Sequence, residues 1–361
     1  MKFLLLHILL LFFYTSLFAQ NKELKISFVS PHHDDGRFWY LAHDFAKEVS
    51  KDLKIDLKIY YNKIEGDRFT YLDAYKRAFN EKIKPDFIVG TFMRNISKSI
   101  FEMSEKFNIP IFIVNTSVPN EEKSFIGEPR AKHKNFIGHM YPDEKYASYI
   151  LADYLINKSK KNKLDKKIEI VGITGNKENP VAINRKIGLE KASKINDTTL
   201  HQTIFTNWTV SQSREKTKRL LKRYKNLDVF WYVNDDTALA GNKIIKKLKK
   251  NIVVGGFDWE KEAIESIKNG TYDASVGGHF VEVGFALILL YDYYHGKDFY
   301  VEFGSEINTK MQLITSENID TYYNFLNTQD WGKIDFRKYS KSLNQELKKY
   351  NFEFKTLLEK Y

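Results

Sequence analysis

Polar and aromatic residues recur immediately after short β-type runs, and these are the residues able to do chemistry. Leu24 to Ser30 is followed by Asp35 and the pair Phe38-Trp39, and the run from Ile109 ends in Asn115-Thr116. Ile168 to Thr174 leads to Asn184-Arg185, and Leu200 to Phe205 leads to Trp208. Val229 to Val233 ends in Asn234-Asp235-Asp236, and Ile252 to Gly256 ends in Phe257-Asp258. In an open α/β sheet, ligands bind beyond the carboxyl ends of the strands. Flat aromatic rings can stack on the C–H face of a sugar. Each ring hydroxyl both donates and accepts, so Asn, Asp and Arg together can satisfy its rim. Any single Asn or Asp here is also ordinary turn chemistry. The same bias at six strand ends points to a binding site for a sugar-like molecule.

Other chemistries find less support. No Gly-x-Gly-x-x-Gly follows the first strand, and the Gly172–Gly175 turn lacks the lysine of a phosphate loop. No Gly-x-Ser-x-Gly elbow occurs. The chain has no cysteine, which excludes disulfides, thiolate metal sites, cysteine nucleophiles and a lipidated N-terminus. His32-His33-Asp34-Asp35 has metal-ligand residue types, but neighbours in an extended chain point apart and no HxxxH or HExxH completes a shell. It reads as a polar loop, and neither a metal nor a cofactor is expected. The alternative class is an exported glycan-acting enzyme, which needs two carboxylates about 5 to 10 Å apart across one bond. Asp35 and Asp258 are the pair it would use; nothing in the spacing fixes them there, so no catalytic residue is assigned.

The elements that must position these residues alternate. Strands at 24–30, 57–61, 87–89 and 109–115 are separated by helical periodicity at 38–51, 71–79 and 96–107. The rhythm restarts with a helix at 141–157 and strands at 167–174, 200–205, 229–234, 251–258 and 274–277, again with helices between them. Strands alternating with helices of this size predict βαβ units and parallel sheets. At 361 residues and 43% hydrophobic content, two α/β units joined near Phe136 to Tyr141 are expected. The last thirty residues read as a polar, lysine-rich helical tail exposed to solvent.

Residues 3–18 form an apolar run after Lys2 and before Ala19-Gln20, the pattern of a secretory signal peptide cleaved near Ala19. Mean hydropathy is −0.46 and no second run of this kind occurs. The formal net charge of +11 comes from scattered lysines and short runs such as 158–167 and 246–250. These read as solvated linkers and helix faces, so no nucleic-acid partner is expected.

Arg185-Lys-Ile-Gly188-Leu189, Trp208, Val233-Asn234-Asp235-Asp236-Thr-Ala238 and Gly255-Gly256-Phe257-Asp258, in this order and spacing, resemble the type I periplasmic binding proteins. These are the ribose- and galactose-type sugar receptors, and the similarity spans about residues 24 to 315. The segment Ile109-Pro-Ile-Phe-Ile-Val-Asn115 with Trp39 is also similar to the periplasmic autoinducer-2 receptor. The resemblance implies two Rossmann-like lobes, each a parallel sheet flanked by helices, joined by a three-segment hinge. The lobes would be 24–138 plus 279–311 and 139–278 plus 312–330, followed by the tail 331–361. It implies a ligand touching Phe38, Trp39, Asn115, Arg185, Trp208, Asn234 and Asp258; Asp35 after the first strand and His279 near the last hinge complete the expected ligand-binding set. Thr116 stands where the family usually has arginine, and Gly277-Gly278-His279 stands where a glutamine is common. A monomeric, non-enzymatic periplasmic receptor is implied, serving a membrane sensor kinase or an ABC permease.

Overall fold

A computed structural model of the protein describes residues 23–32, 37–64, 66–161 and 166–361; the expected leader and Asp35 lie outside them. Strands are numbered β1 to β12 in chain order. β1 (Lys25–Ser30), β2 (Asp56–Tyr61), β3 (Phe87–Gly90), β4 (Ile111–Val114), β5 (Phe136–Pro142) and β11 (Glu306–Thr309) make one sheet, in the order β11-β5-β4-β3-β1-β2. All its neighbouring pairs run parallel. β6 (Glu169–Thr174), β7 (Thr199–Phe205), β8 (Val229–Tyr232), β9 (Val253–Phe257), β10 (Ala274–Gly277) and β12 (Gln312–Thr315) make the second, in the order β12-β10-β9-β8-β6-β7. Only β12 is antiparallel to its neighbour.

Central strands such as β3 (FIVG) and β4 (IFIV) are buried at every position. Continuous apolar runs of this kind are what a parallel sheet covered on both faces requires. In lobe 1 the covering helices are α1 (Arg37–Leu53), α2 (Arg68–Phe79) and α3 (Ser97–Phe107). In lobe 2 they are α4 (Glu144–Lys161), α5 (Pro180–Ile195), α6 (Val210–Arg223), α7 (Asp235–Lys247) and α8 (Lys261–Lys268). α9 (Glu282–Tyr294) returns to lobe 1, buried along most of its length. α10 (Ile319–Thr328) follows β12. Among the described residues, no helix is long and apolar enough to cross a membrane.

The chain crosses between sheets after Pro142, after Gly277, and between Thr309 and Gln312. The segment expected to join the units, Phe136 to Tyr141, is instead strand β5 of the first sheet. Gly278 lies at φ +102°, a conformation that favours glycine, where the chain leaves β10.

The tail also departs from expectation. It forms two 3₁₀ turns (Trp331–Lys333, Phe336–Tyr339) and one short helix, α11 (Phe354–Lys360). Trp331, Phe336, Tyr350, Phe354 and Leu357 are buried. The Trp331 ring lies 5.8 Å from Phe45 of α1, and Phe354 lies 5.0 Å from Trp259 of lobe 2. Asp292 of α9 accepts from the Lys341 N–H at 2.6 Å and the Tyr350 hydroxyl at 2.9 Å. Burial of these aromatic rings, rather than helix periodicity, sets the path of the segment.

Candidate functional site

The carboxyl ends of both sheets face each other across a cleft of about 370 Å³. In lobe 1, α1 opens with Phe38 and Trp39, packed edge-to-face at 5.2 Å, and Trp39 is backed by Phe28 at 6.1 Å. Asn115 follows β4 at φ +65°, with its N–H donated to the Met140 carbonyl at 2.9 Å. Its side-chain amide has no protein partner among the described residues. In lobe 2, three helices start with capping residues that also line the cleft. The Asn179 side chain accepts from the Val181 N–H at 2.8 Å, Thr209 from the Gln212 N–H at 3.4 Å, and Asn234 from the Thr237 N–H at 3.3 Å. A cap uses the side-chain oxygen. The Asn234 Nδ2 group is therefore left for the cleft.

Trp208 sits at φ +64° with its indole laid directly over Gly175, where a Cβ would fall 2.1 Å from Cε2. Asp258 has φ +106° and donates its N–H to the Val276 carbonyl at 2.8 Å. Backbone held in such sparsely populated regions concentrates at binding sites. Here it occurs at three of the residues expected from the sequence.

Arg185 occupies the floor, buried to 2% exposure. Its Nε donates to Glu144 Oε2 at 2.6 Å and its Nη2 to Glu144 Oε1 at 3.1 Å. Nη2 also donates to His279 Nε2 at 3.2 Å; Nη1 donates to the Val233 carbonyl at 2.7 Å and to Asp258 Oδ1 at 3.4 Å. A guanidinium has five N–H donors, and all are taken by the protein. The Phe257 ring closes its face at 4.2 Å. Arg185 therefore organises the groups around it and offers no spare donor.

Burial and the neighbouring guanidinium hold His279 well below the usual histidine range, so the ring is neutral. Nε2 accepts from Arg185, which leaves the proton on Nδ1, and that atom is buried with no partner among the described residues. The His279 ring also stacks on Phe38 at 4.4 Å, joining the lobe 1 wall to the lobe 2 floor. Burial pushes the Asp258 carboxyl up to about 6 against the pull of Arg185. Burial likewise raises Glu144, opposed by Arg185, and holds Asp235 well above the usual range, helped by Asp258. Asp235 faces inward instead, accepting from the Tyr272 hydroxyl at 2.9 Å and Ser275 Oγ at 2.7 Å.

Phe38, Trp39, Asn115, Arg185, Trp208, Asn234, Asp258 and His279 all line this one cleft, whereas Asp35 lies outside the described residues. Thr91, Asn176 and Glu260 also line it and were not expected. The first two stand at strand ends and carry the same signal as Asn115. Contacts cross the cleft mouth. Arg68 of lobe 1 pairs with Glu178 at 2.9 Å, the Arg94 N–H reaches the Glu178 carbonyl at 3.2 Å, and Asn184 Nδ2 donates to Ser117 Oγ at 3.0 Å. The lobes are closed on one another. Among the described residues, no His, Asp and Glu cluster is arranged to hold a metal.

A family model described as a periplasmic binding protein domain matches residues 26–298. A solved periplasmic sugar-binding protein from Pseudomonas fluorescens superposes with a TM-score of 0.81 at 24% identity, covering 93% of this chain and 99% of that one. A galactofuranose binding protein gives 0.73 at 18% identity, covering 85% and 99%. An ABC transporter periplasmic solute binding protein from Actinobacillus succinogenes, with bound D-allose, gives 0.72 at 18% identity, covering 83% and 100%. At these identities the likeness carries the fold. No curated protein matches the chain.

Proposed function

The chain belongs to the periplasmic binding protein domain family, and from that premise we propose that it is a periplasmic receptor closing on a neutral, sugar-like or polyol-like small molecule. The family is one of binding proteins rather than catalysts, which sets aside the glycan-acting alternative. The observation that carries the reading is the pairing of aromatic walls with unspent polar groups in one interlobe cleft. Phe38, Trp39 and Trp208 supply faces for ring stacking, and Asn115, Asn234 Nδ2 and Asp258 supply hydroxyl partners. A stacked ring contributes about 0.5–1.5 kcal/mol beyond area burial. Arg185 acts as a positioning residue for Asp258 and His279, since its own donors are occupied. With that charge consumed internally, the described residues of the cleft offer no free guanidinium for an anionic ligand, which favours uncharged polyols.

Ligand contact with both lobes stabilises the closed arrangement, and a membrane partner, sensor kinase or ABC permease, reads that shape. Phe28-Val-Ser-Pro31 through Phe38-Trp39, with Gly277-Gly278-His279-Phe280, resembles a branch of sugar-binding-like receptors that serve sensor proteins, which favours the sensor. Mass spectrometry of small molecules released from the denatured protein, followed by calorimetry against D-allose, a galactofuranoside and sugar acids, tests the ligand class. Tight binding of a sugar acid with no neutral binder would overturn it. Deleting the gene decides the partner: unchanged ligand uptake with lost signalling supports the sensor, and abolished uptake with intact signalling refutes it.

A further inference from the structure

Lobe 2 has a second end. Its strand carboxyl termini face the cleft, while the strand amino termini form the opposite pole, where α4, α5, α6, α7 and α8 also finish. The connections there are neighbours. The Thr199 N–H reaches the Ile168 carbonyl at 2.9 Å, Asp228 N–H the Glu169 carbonyl at 2.9 Å, and Val253 N–H the Asp228 carbonyl at 2.9 Å.

The basic runs scattered in the sequence converge on this pole. Lys246, Lys247, Lys249 and Lys250 surround Leu248 at the end of α7. Lys222, Arg223 and Lys225 stand beside them at the end of α6, with Lys250 Nζ donating to the Lys225 carbonyl at 3.4 Å. Carboxylates nearby are engaged: Asp197 pairs with Lys167 at 2.8 Å, and buried Asp228 lies 3.9 Å from Lys166. Among the described residues, Lys246, Lys247 and Lys249 are exposed and form no ion pair. The negative ends of helices attract a cation or two each, which does not account for four lysines around one apolar side chain. Leu248 is 55% exposed at the centre of that ring.

We propose that this pole of lobe 2 is a docking surface for anionic phospholipid bilayers. The ammonium groups meet lipid phosphates while Leu248 enters the headgroup boundary, the division of labour used by interfacial basic segments. The exposed leucine distinguishes a bilayer from a soluble polyanion, which would engage the charges and leave Leu248 in water. α7 spans about 20 Å between pole and cleft. A molecule resting on this pole therefore keeps its cleft and hinge clear, and lobe 1 is free to move.

Flotation of the chain from Gln20 onward, without the expected leader, tests the proposal, comparing vesicles of pure phosphatidylcholine with a mixture containing about a third phosphatidylglycerol. Binding should require the anionic lipid and weaken by an order of magnitude or more between about 0.05 and 0.5 M salt. Lys246→Gln/Lys247→Gln/Lys249→Gln should lower the partition coefficient about a hundredfold. Leu248→Ser should lower it several-fold while leaving binding to duplex DNA unchanged. All four sites are exposed, and an unchanged urea midpoint establishes that each variant is folded. Equal binding to neutral vesicles, or binding insensitive to both salt and the triple substitution, would overturn the proposal. So would equal affinity for DNA and vesicles with no effect of Leu248→Ser.

Discussion

Replacing Arg185 with methionine tests whether the floor of the cleft is a coupled unit. Arg185 and Glu144 side chains are each 2% exposed and joined by two hydrogen bonds, at 2.6 and 3.1 Å. At about 4 Å between charge centres and an effective dielectric of about 20, their attraction is about 4 kcal/mol. Removing one member strands the other, and such losses run at about 3–5 kcal/mol. A folded protein of marginal stability, about 5–15 kcal/mol, would lose a large share of it. Replacing both with apolar residues of similar size removes the stranded charge. Arg185→Met/Glu144→Leu should therefore recover at least about 2 kcal/mol relative to the sum of the single changes. Urea titration followed by far-UV circular dichroism measures each corner of the cycle. The Arg185→Met penalty should also shrink at mildly acid pH, because protonation neutralises Glu144 and Asp258. Additivity within about 0.5 kcal/mol, with no pH dependence, would refute the coupling.

Further outcomes follow from particular contacts. Gly175→Ala drives a methyl group into the Trp208 indole and should cost about 1–3 kcal/mol by overpacking; its fluorescence spectrum should shift, and an unshifted spectrum would place the ring elsewhere. Asp258 has a folded-state value of about 6, above its unfolded value of about 3.9. Its contribution to stability is thus complete below about pH 4 and lost as pH rises through about 6; Asp258→Asn should flatten the stability profile over that window, and an unaltered slope would assign the titration to another group. Glu178→Ala removes an interlobe pair that is 31–40% exposed, so it should loosen the closed state by no more than about 1 kcal/mol, read as faster hydrogen exchange at the cleft mouth. Phe354→Ala empties a buried aromatic site and should lower stability by about 3–5 kcal/mol; a loss under about 1 kcal/mol would mean the tail is not part of the core.

Much of this was legible in the residues, and the failures have physical causes. Buried parallel strands announce themselves as apolar runs, so nine of the ten strands from β1 to β10 could be placed; β5, with Gly138, His139 and Pro142 in its run, read as a joint between the units. β11 and β12 could not: each has four residues, with half-exposed positions. β11 also pairs with β5 about 167 residues away. The cleft residues were legible because short polar side chains at strand ends cap helices and line the site at once, as Asn234 does. Arg185 was identified as a site residue, but its saturation was not, because Glu144 lies 41 residues upstream and no local spacing links them. The tail misled for a third reason. Its buried rings follow an irregular backbone, so their spacing matches no period, while its lysines dominate the composition.

That tail bears on the order in which the molecule assembles. Lobe 2 from α4 to β10 is one continuous stretch of chain, able to pair five strands as soon as it exists. Lobe 1 pairs its first five strands as readily, and each sheet awaits one distant strand, β11 or β12; lobe 1 also awaits α9, and the aromatic seam over α1 stays open until Trp331, Phe336 and Phe354 arrive. Contacts this far apart in sequence form slowly because the intervening loop must first close. The amino-terminal lobe, although made first, is therefore the later to solidify. A chain cut short before residue 331 would leave Phe45, Phe280 and Trp259 facing water, a sticky surface on both sides of the hinge.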